Sequence, residues 1–240
     1  VPAQRSSNPE RVVVVAARNE ADRIIATLEA LEEAFPGSRL MVASAGSSDG
    51  TPGLAAKLGV EVVPQLASDR ESRGKGGAMT AAVEFALSER SAPLTVVLCD
   101  GDLGASAASL GALADAVESG DCDLAVASFA TREGGGFGIA LGFARRAIRS
   151  LTGLELEAPI SGQRALGAEL LSRLLPFAPG FGMEIGMTVD AARAGARLKE
   201  IELDLEHRAT GRSAAGFVHR GRQLLDFALV YLSRRFGRRR

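Results

Sequence analysis

Four short segments of this sequence hold residue types that could bind and activate a charged ligand. They are Ala17-Arg18-Asn19-Glu20, Ser44-Ala45-Gly46-Ser47-Ser48-Asp49-Gly50-Thr51, Arg73-Gly74-Lys75-Gly76-Gly77 and Asp100-Gly101-Asp102. Two carboxylates one residue apart repel each other unless a cation or a proton relieves them. A hard divalent ion that bridges them to a diphosphate is the economical solution, and Mg2+ or Mn2+ suits oxygen ligands of this kind. Glycines at 74, 76 and 77 let a backbone approach phosphate or base closely, and Lys75 supplies a cation beside them. Each segment alone has a plainer reading. Ser48-Asp49-Gly50 could be a turn with a helix cap, Gly-Lys-Gly a bare loop, and Asp-Gly-Asp a solvated turn.

The elements that must position these segments give them their weight. Residues 11–16, with four consecutive valines, read as a buried parallel strand. Residues 40–44, 60–64, 94–99 and 123–128 read as further strands. Apolar spacing predicts helices over 21–34, 51–58, 77–88 and 106–119. Such alternation predicts an α/β fold with a doubly wound, mostly parallel central sheet flanked by helices. Ligands on these sheets bind beyond the carboxyl ends of the strands. Three of the four segments follow a strand directly, and the Gly-Lys-Gly stretch precedes a helix. Further on, Gly134, Gly135, Gly136 and Gly138 form a flexible loop before a basic helix over 143–151. Residues 183–195 read as a helix, 197–205 as a strand and 217–235 as a long amphipathic helix.

Composition bounds the rest. With 46% hydrophobic and 24% charged residues the chain is globular, neither disordered nor fibrous. No apolar run approaches the roughly 20 residues needed to span a bilayer, and residues 2–11 lack the apolar core of a signal peptide. Cys99 and Cys122 have no metal-type spacing; two buried, reduced thiols point to the cytoplasm. The net charge of −1 hides an asymmetry. From His207 onward nine arginines stand against one acid, Asp226, so the tail carries +8 and the body −9. A basic tail points to an anionic contact, or simply to a solvated end. His207 is one of two histidines and follows a predicted strand, whereas His219 reads as a surface residue.

The order Arg-Asn-Glu, Gly-Ser-Ser-Asp-Gly-Thr, Gly-Lys-Gly, Asp-x-Asp resembles the family 2-type GT-A glycosyltransferases. Later motifs resemble those of glucosyl-3-phosphoglycerate synthases and related bacterial enzymes: Ile160-Ser161-Gly162-Gln163-Arg164-Ala165, then Pro176 through Gly186, then Glu206-His207-Arg208. The resemblance runs from about Arg11 to His207. It implies one GT-A domain over 1–240, with a nucleotide-sugar-binding half at 11–130, an acceptor-side half at 131–216, and a C-terminal helix and basic tail at 217–240. By position it implies that Ala17, Arg18, Glu20, Ser44, Lys75, Gly76, Asp100 and Gly101 line the donor site. Lys75 would contact base or phosphate, and Asp100 the ribose or a metal-bound water. Asp102 and His207 would ligate Mg2+ or Mn2+, and Glu184, with Asp102, would be the catalytic carboxylate, facing donor sugar or acceptor.

Three positions depart from the family pattern. Ser44 and Ala45 stand where acidic residues are common. Residues 136–141 lack the Arg and Thr of the acceptor loop, and Ala209 replaces an Asn. The donor half of the resemblance is therefore fuller than the acceptor half. The implied activity is transfer of a hexose from a nucleotide sugar, UDP-linked, to a small phosphorylated acid such as phosphoglycerate. The alternative acceptor is a polyprenyl phosphate or another membrane lipid. A nucleotidyltransferase also uses a metal and a basic glycine-rich loop, but that loop usually follows the first strand directly, where this chain has Arg18-Asn19-Glu20. A nucleic-acid partner is not expected.

On a helical wheel of residues 217–235, Phe217, Leu224, Leu225, Ala228 and Leu232 are expected to face the domain. Phe227 and Val230 are then expected to face outward among arginines. The expected partner is a second copy, making a homodimer through this helix. Peripheral contact with the anionic inner face of a membrane is the second expectation.

Overall fold

The computed structural model describes residues 10–64, 74–89, 94–129, 138–205 and 214–237, with the side chains of 214–220 excepted. Arg73, residues 134–137, His207 and Ala209 lie outside the described residues, as do the side chains of Phe217 and His219.

The valine run forms β1 (Glu10–Ala17), and its pleat sorts its side chains between two cores. Val13 and Val15 join α1 (Ile24–Ala34) on one face of the sheet, where Ile24, Leu28 and Leu31 are buried. Val12 and Val14 join α3 (Gly74–Ser88) on the other, with Met79, Ala82 and Val83. The remaining strands are β2 (Arg39–Ser44), β3 (Glu61–Pro64), β4 (Leu94–Asp100), β5 (Leu124–Phe129), β6 (Arg164–Gly167) and β7 (Leu198–Leu203). They make one seven-stranded sheet in the order β3-β2-β1-β4-β6-β5-β7. All pairings are parallel except those of β6, which runs antiparallel to both β4 and β5. The expected mostly parallel α/β sheet is therefore what forms.

The helices are α2 (Thr51–Lys57), α4 (Gly111–Glu118, preceded by a 3-10 stretch at Gly104–Leu110), α5 (Gly138–Thr152), α6 (Ala168–Leu174), α7 (Met183–Arg193) and α8 (Ala214–Phe236). Neither β6 nor α6 is legible in the sequence: β6 has four residues and opens with an arginine. Helix α3 starts three residues before its expected first residue, within the glycines. Glycine disfavours a helix, yet Gly76 is needed here: a Cβ on it would lie 1.9 Å from the carbonyl oxygen of Ala178. The space Gly76 leaves is filled by that backbone, not by an approaching ligand.

Helix α8 corrects one expectation. Phe227 and Val230 are buried in a third cluster with α5 and α7, while Leu225, Leu229, Leu232 and Phe236 are exposed. The wheel fails because apolar residues lie on several sides of this helix, and its packing partners choose between them. Gly182 leaves a gap that Val230 fills, since a Cβ there would lie 2.2 Å from Val230 Cγ2. Asp226 Oδ2 accepts a hydrogen bond from the Phe181 amide at 3.0 Å, and Arg234 pairs with Asp190 at 2.6 Å. Both cysteines are buried and free, as expected. Among the described residues no helix is long and apolar enough to cross a membrane.

Gly76→Ala is expected to destabilise by about 1–3 kcal/mol through overpacking against Ala178, seen as a lower midpoint in urea unfolding. Gly53→Ala is the control. Gly53 lies in α2 with no atom within 4 Å of an added Cβ, and alanine there should stabilise by up to about 1 kcal/mol.

Candidate active site

The carboxyl ends of the central strands lie level. Ala17 is in register with Ser44, and Ala16 with Asp100. The winding reverses at β1, with β2 and β3 to one side and β4 to the other, and this is where ligands bind on such sheets. Asp100 lies on the same face of β4 as Val96 and Leu98, the face covered by α3 and α7.

The turn after β4 is held from below. The Gly101 amide donates to Ala16 O at 2.9 Å. Buried Thr27 of α1 donates through Oγ1 to Gly101 O at 3.0 Å and accepts from the Gly104 amide at 2.9 Å. Arg23 Nη1 donates to Asp102 O at 3.0 Å. A Cβ on Gly101 would come within 3.2 Å of Ala17 Cβ and Ile24 Cδ1. A glycine therefore separates the two aspartates because α1 and β1 press on the turn.

Lys75, in the first turn of α3, reaches this edge from the side. Its Nζ lies 2.6 Å from Asp100 Oδ1 and 2.7 Å from Glu184 Oε1, with Glu184 buried in the first turn of α7. Burial works to lower the lysine pKa, but the fields and hydrogen bonds of Asp100 and Glu184 outweigh it and raise it above the ordinary lysine range. Lys75 is therefore a fixed cation.

The second oxygen of Asp100 has its own partner. Gln163 Nε2 donates to Asp100 Oδ2 at 3.0 Å, and Ser161 Oγ donates to Gln163 Oε1 at 3.0 Å. The serine thereby sets which way the amide faces. Between them, Gly162 lies directly over the ion pair: a Cβ there would be 2.5 Å from both Asp100 Oδ2 and Lys75 Nζ. Buried Arg164 anchors the loop. It donates to Ser161 O at 2.9 Å, to Pro159 O at 3.2 Å and to Thr188 Oγ1 at 3.0 Å. Burial lowers its pKa to about 10, while Glu184 and Glu200 pull the other way. Thr188 Oγ1 in turn donates to Glu184 O at 2.9 Å, so Arg164 connects the 159–163 loop to the helix bearing Glu184.

The two loops after β1 and β2 are laced together. Asn19, in a left-handed conformation at φ 59°, accepts from the Ser48 amide at 2.8 Å, and its own amide donates to Ser47 Oγ at 3.1 Å. The Glu20 amide donates to Thr51 Oγ1 at 2.9 Å, and the Ala21 amide to Asp49 Oδ2 at 3.0 Å. Hydrogen bonds, chiefly from Thr51, hold the Asp49 carboxyl below the usual range. Ser47, Asp49 and Thr51 thus serve the architecture of the edge.

Of the residues singled out from sequence, Lys75, Asp100 and Glu184 converge, with Gly101 and Asp102 in the same turn. Ala17 and Ser44 are buried at the strand ends, Arg18 is exposed and Glu20 half-buried. Gly76 turns inward against Ala178. His207 lies outside the described residues, and among those described no group of three His, Cys, Asp or Glu side chains converges. Sequence reasoning missed the parts played by Thr27, Ser161, Gln163 and Arg164. The signal for the last three was the 160–165 motif itself, quoted for its family resemblance but given no role.

The sequence profile of the glycosyl transferase family 2 matches residues 12–165. Among solved structures, glucosyl-3-phosphoglycerate synthase from Mycobacterium tuberculosis in complex with Mn2+, UDP and glucosyl-3-phosphoglycerate superposes with a TM-score of 0.76 at 26% identity, covering 95% of this chain and 80% of that one. The same enzyme with Mn2+, UDP-glucose and phosphoglyceric acid gives a TM-score of 0.75 at 26% identity, with the same coverage of 95% and 80%. With Mn2+, UDP-glucose and glycerol 3-phosphate it again gives 0.75 and 26%, over 95% and 80%. A comparison with curated proteins found no match. The match covers more than half of the chain and sets the nucleotidyltransferase reading aside: the chain belongs to glycosyl transferase family 2 and is a nucleotide-sugar glycosyltransferase of the GT-A fold.

Proposed function

We propose that this enzyme moves a hexose from a UDP-sugar to a small phosphorylated acid of the phosphoglycerate kind, with Mg2+ or Mn2+ held by Asp102 and His207. The observation that carries this reading is the cluster of Lys75, Asp100 and Glu184 at the carboxyl edge of the sheet. The likeness to a synthase solved with Mn2+, UDP-glucose and phosphoglyceric acid supports it. Residues 11–130 would form the donor half, 131–216 the acceptor side.

The charges fit a divalent ion. Lys75 is shared between Asp100 and Glu184, so one cation meets two carboxylates, with Asp102 in the same turn as Asp100. Asp100 is engaged on both oxygens, which suits it to hold ribose or a metal-bound water through its remaining lone pairs. Asp102, the second carboxylate of the Asp-Gly-Asp pair, would hold the ion together with His207. When bound, the ion would neutralise charge growing on the leaving nucleoside diphosphate. Lys75, held charged in place, would act on the base or phosphate with no reorganisation at the moment of reaction. Transfer to a hydroxyl requires a proton acceptor. Glu184 is the buried carboxylate at this edge, and the leaving phosphate is the other candidate.

A lipid-held phosphate is the second reading, favoured by the apolar face that α8 turns outward. Such an acceptor is already largely ionised at neutral pH, with a second pKa of about 6, and needs cations rather than a base.

Three outcomes are expected. Asp102→Ala and His207→Ala should each lower turnover by about 1000-fold, near 4 kcal/mol of barrier, with Asp102→Ala leaving the thermal midpoint within about 2 °C. UDP release from UDP-glucose in the presence of 3-phosphoglycerate is the readout, and full wild-type activity in excess EDTA would exclude the metal assignment. In calorimetry, UDP with Mn2+ should bind at least about tenfold tighter than GDP or ADP, a difference of about 1.4 kcal/mol. Lys75→Met strands two carboxylates and should destabilise by about 3 kcal/mol, lowering the midpoint by about 6–12 °C. Adding Glu184→Gln should restore part of that loss of stability but none of the activity.

A further inference from the structure

Four of the exposed large hydrophobic side chains among the described residues lie on one helix. Leu225 is 58% exposed, Leu229 57%, Leu232 47% and Phe236 76%. Their 4-3-4 spacing places them on one face of α8, in a stripe about 16 Å long at 1.5 Å per residue. The opposite side of α8 is already used, with Phe227 and Val230 in the core and Asp226 and Arg234 bonded inward.

The charges beside the stripe are of one sign. From 221 to 236 the other exposed positions are Gly221, Arg222, Ser233 and Arg235. The one acid of the helix, Asp226, is occupied with the Phe181 amide on the packed side. The outward face of α8 therefore presents leucines, a phenylalanine and arginines, and no carboxylate.

We infer that this face docks on an anionic lipid surface. Leucine and phenylalanine side chains would enter the boundary between headgroups and acyl chains, while Arg222 and Arg235 meet lipid phosphates. A second copy fits less well. In a two-fold contact each patch meets itself, so these arginines would face a surface that brings them no carboxylate. The inference holds for either acceptor. It gains its interest from the packed side of α8, which braces the Phe181–Gly186 segment carrying Glu184, so a docked helix would set the orientation of the active site to the membrane.

The test is co-sedimentation of the full chain, without donor or metal, with vesicles of phosphatidylcholine alone or mixed with phosphatidylglycerol. Binding is expected only with phosphatidylglycerol present. It should weaken at least about fivefold as sodium chloride rises from about 0.05 M to about 0.5 M, as screening demands. Leu229→Ser with Leu232→Ser should abolish it, and Arg222→Gln with Arg235→Gln should do so while leaving the apolar stripe intact. All four positions are solvent-facing, and circular dichroism checks that both variants fold. Failure to bind anionic vesicles, or binding that neither variant weakens, overturns the inference. So does a dimer in light scattering that the leucine variant dissociates while vesicles are ignored, which would assign the face to a second copy. Because no substrate is present, these outcomes are independent of the proposed reaction.

Discussion

A lysine bridging two carboxylates from distant segments is the constraint on which the rest of this structure depends. Charges removed from water are tolerated only when partners are fixed at hydrogen-bonding distance. Lys75, Asp100 and Glu184 meet that condition only if the start of α3, the end of β4 and the start of α7 are held within a few tenths of an ångström. Much of the surrounding sequence serves that end. Gly76 lets the start of α3 close on Ala178 beside α7, and Gly162 lets a loop lie across the ion pair. Thr27 and Arg23 hold the turn after β4. Ser161 and Gln163 secure the oxygen of Asp100 that the lysine leaves over. The result is an edge whose donors and acceptors are set before any ligand arrives, which is how polar sites gain electrostatic leverage.

The antiparallel strand is the second device. In a wholly parallel sheet the loop entering β6 would lie at the far edge, away from Asp100 and Lys75. Because β6 runs against β4, with Arg164 opposite Leu98, the residues before it arrive at the carboxyl end, beside Asp100. Arg164 then works at a distance from the ion pair of Lys75 and Asp100. It is a buried cation spending its hydrogen bonds on two carbonyls and a hydroxyl, and its charge is balanced through space by Glu184 and Glu200. A lysine there would lack the planar fork that reaches three acceptors at once.

Much of this was legible in the sequence, for local reasons. The strands of the first half read correctly because buried parallel strands are apolar runs, and four valines in β1 leave little ambiguity. The gathering of the polar segments at one edge read correctly because segments that follow such strands fall on one side of the sheet. What did not read were features decided by distant packing. β6 begins with an arginine, which local pattern assigns to a loop, although its charge is compensated by residues far along the chain. The start of α3 looks like a flexible loop because the reason for its glycines is the carbonyl of Ala178. The face of α8 could not be chosen from its wheel, since the gap at Gly182 that accepts Val230 belongs to another element. At the site, Lys75 and Asp100 stood out by type and Glu184 through the family resemblance, but nothing local announced that Gln163 would support Asp100.

The place of β6 in the sheet also bears on how the chain is made. Synthesis delivers β4 and β5 before β6, yet β6 lies between them in the finished sheet. Six of the seven residues of β4 are buried in the finished fold, and until residues 164–167 emerge that strand has a neighbour on one side only. During that interval the growing chain carries an open, apolar strand edge of the kind that pairs readily with other chains. The interposed strand thus fixes a window in translation when this protein is most exposed to misassembly, and when a holding chaperone has a defined surface to cover.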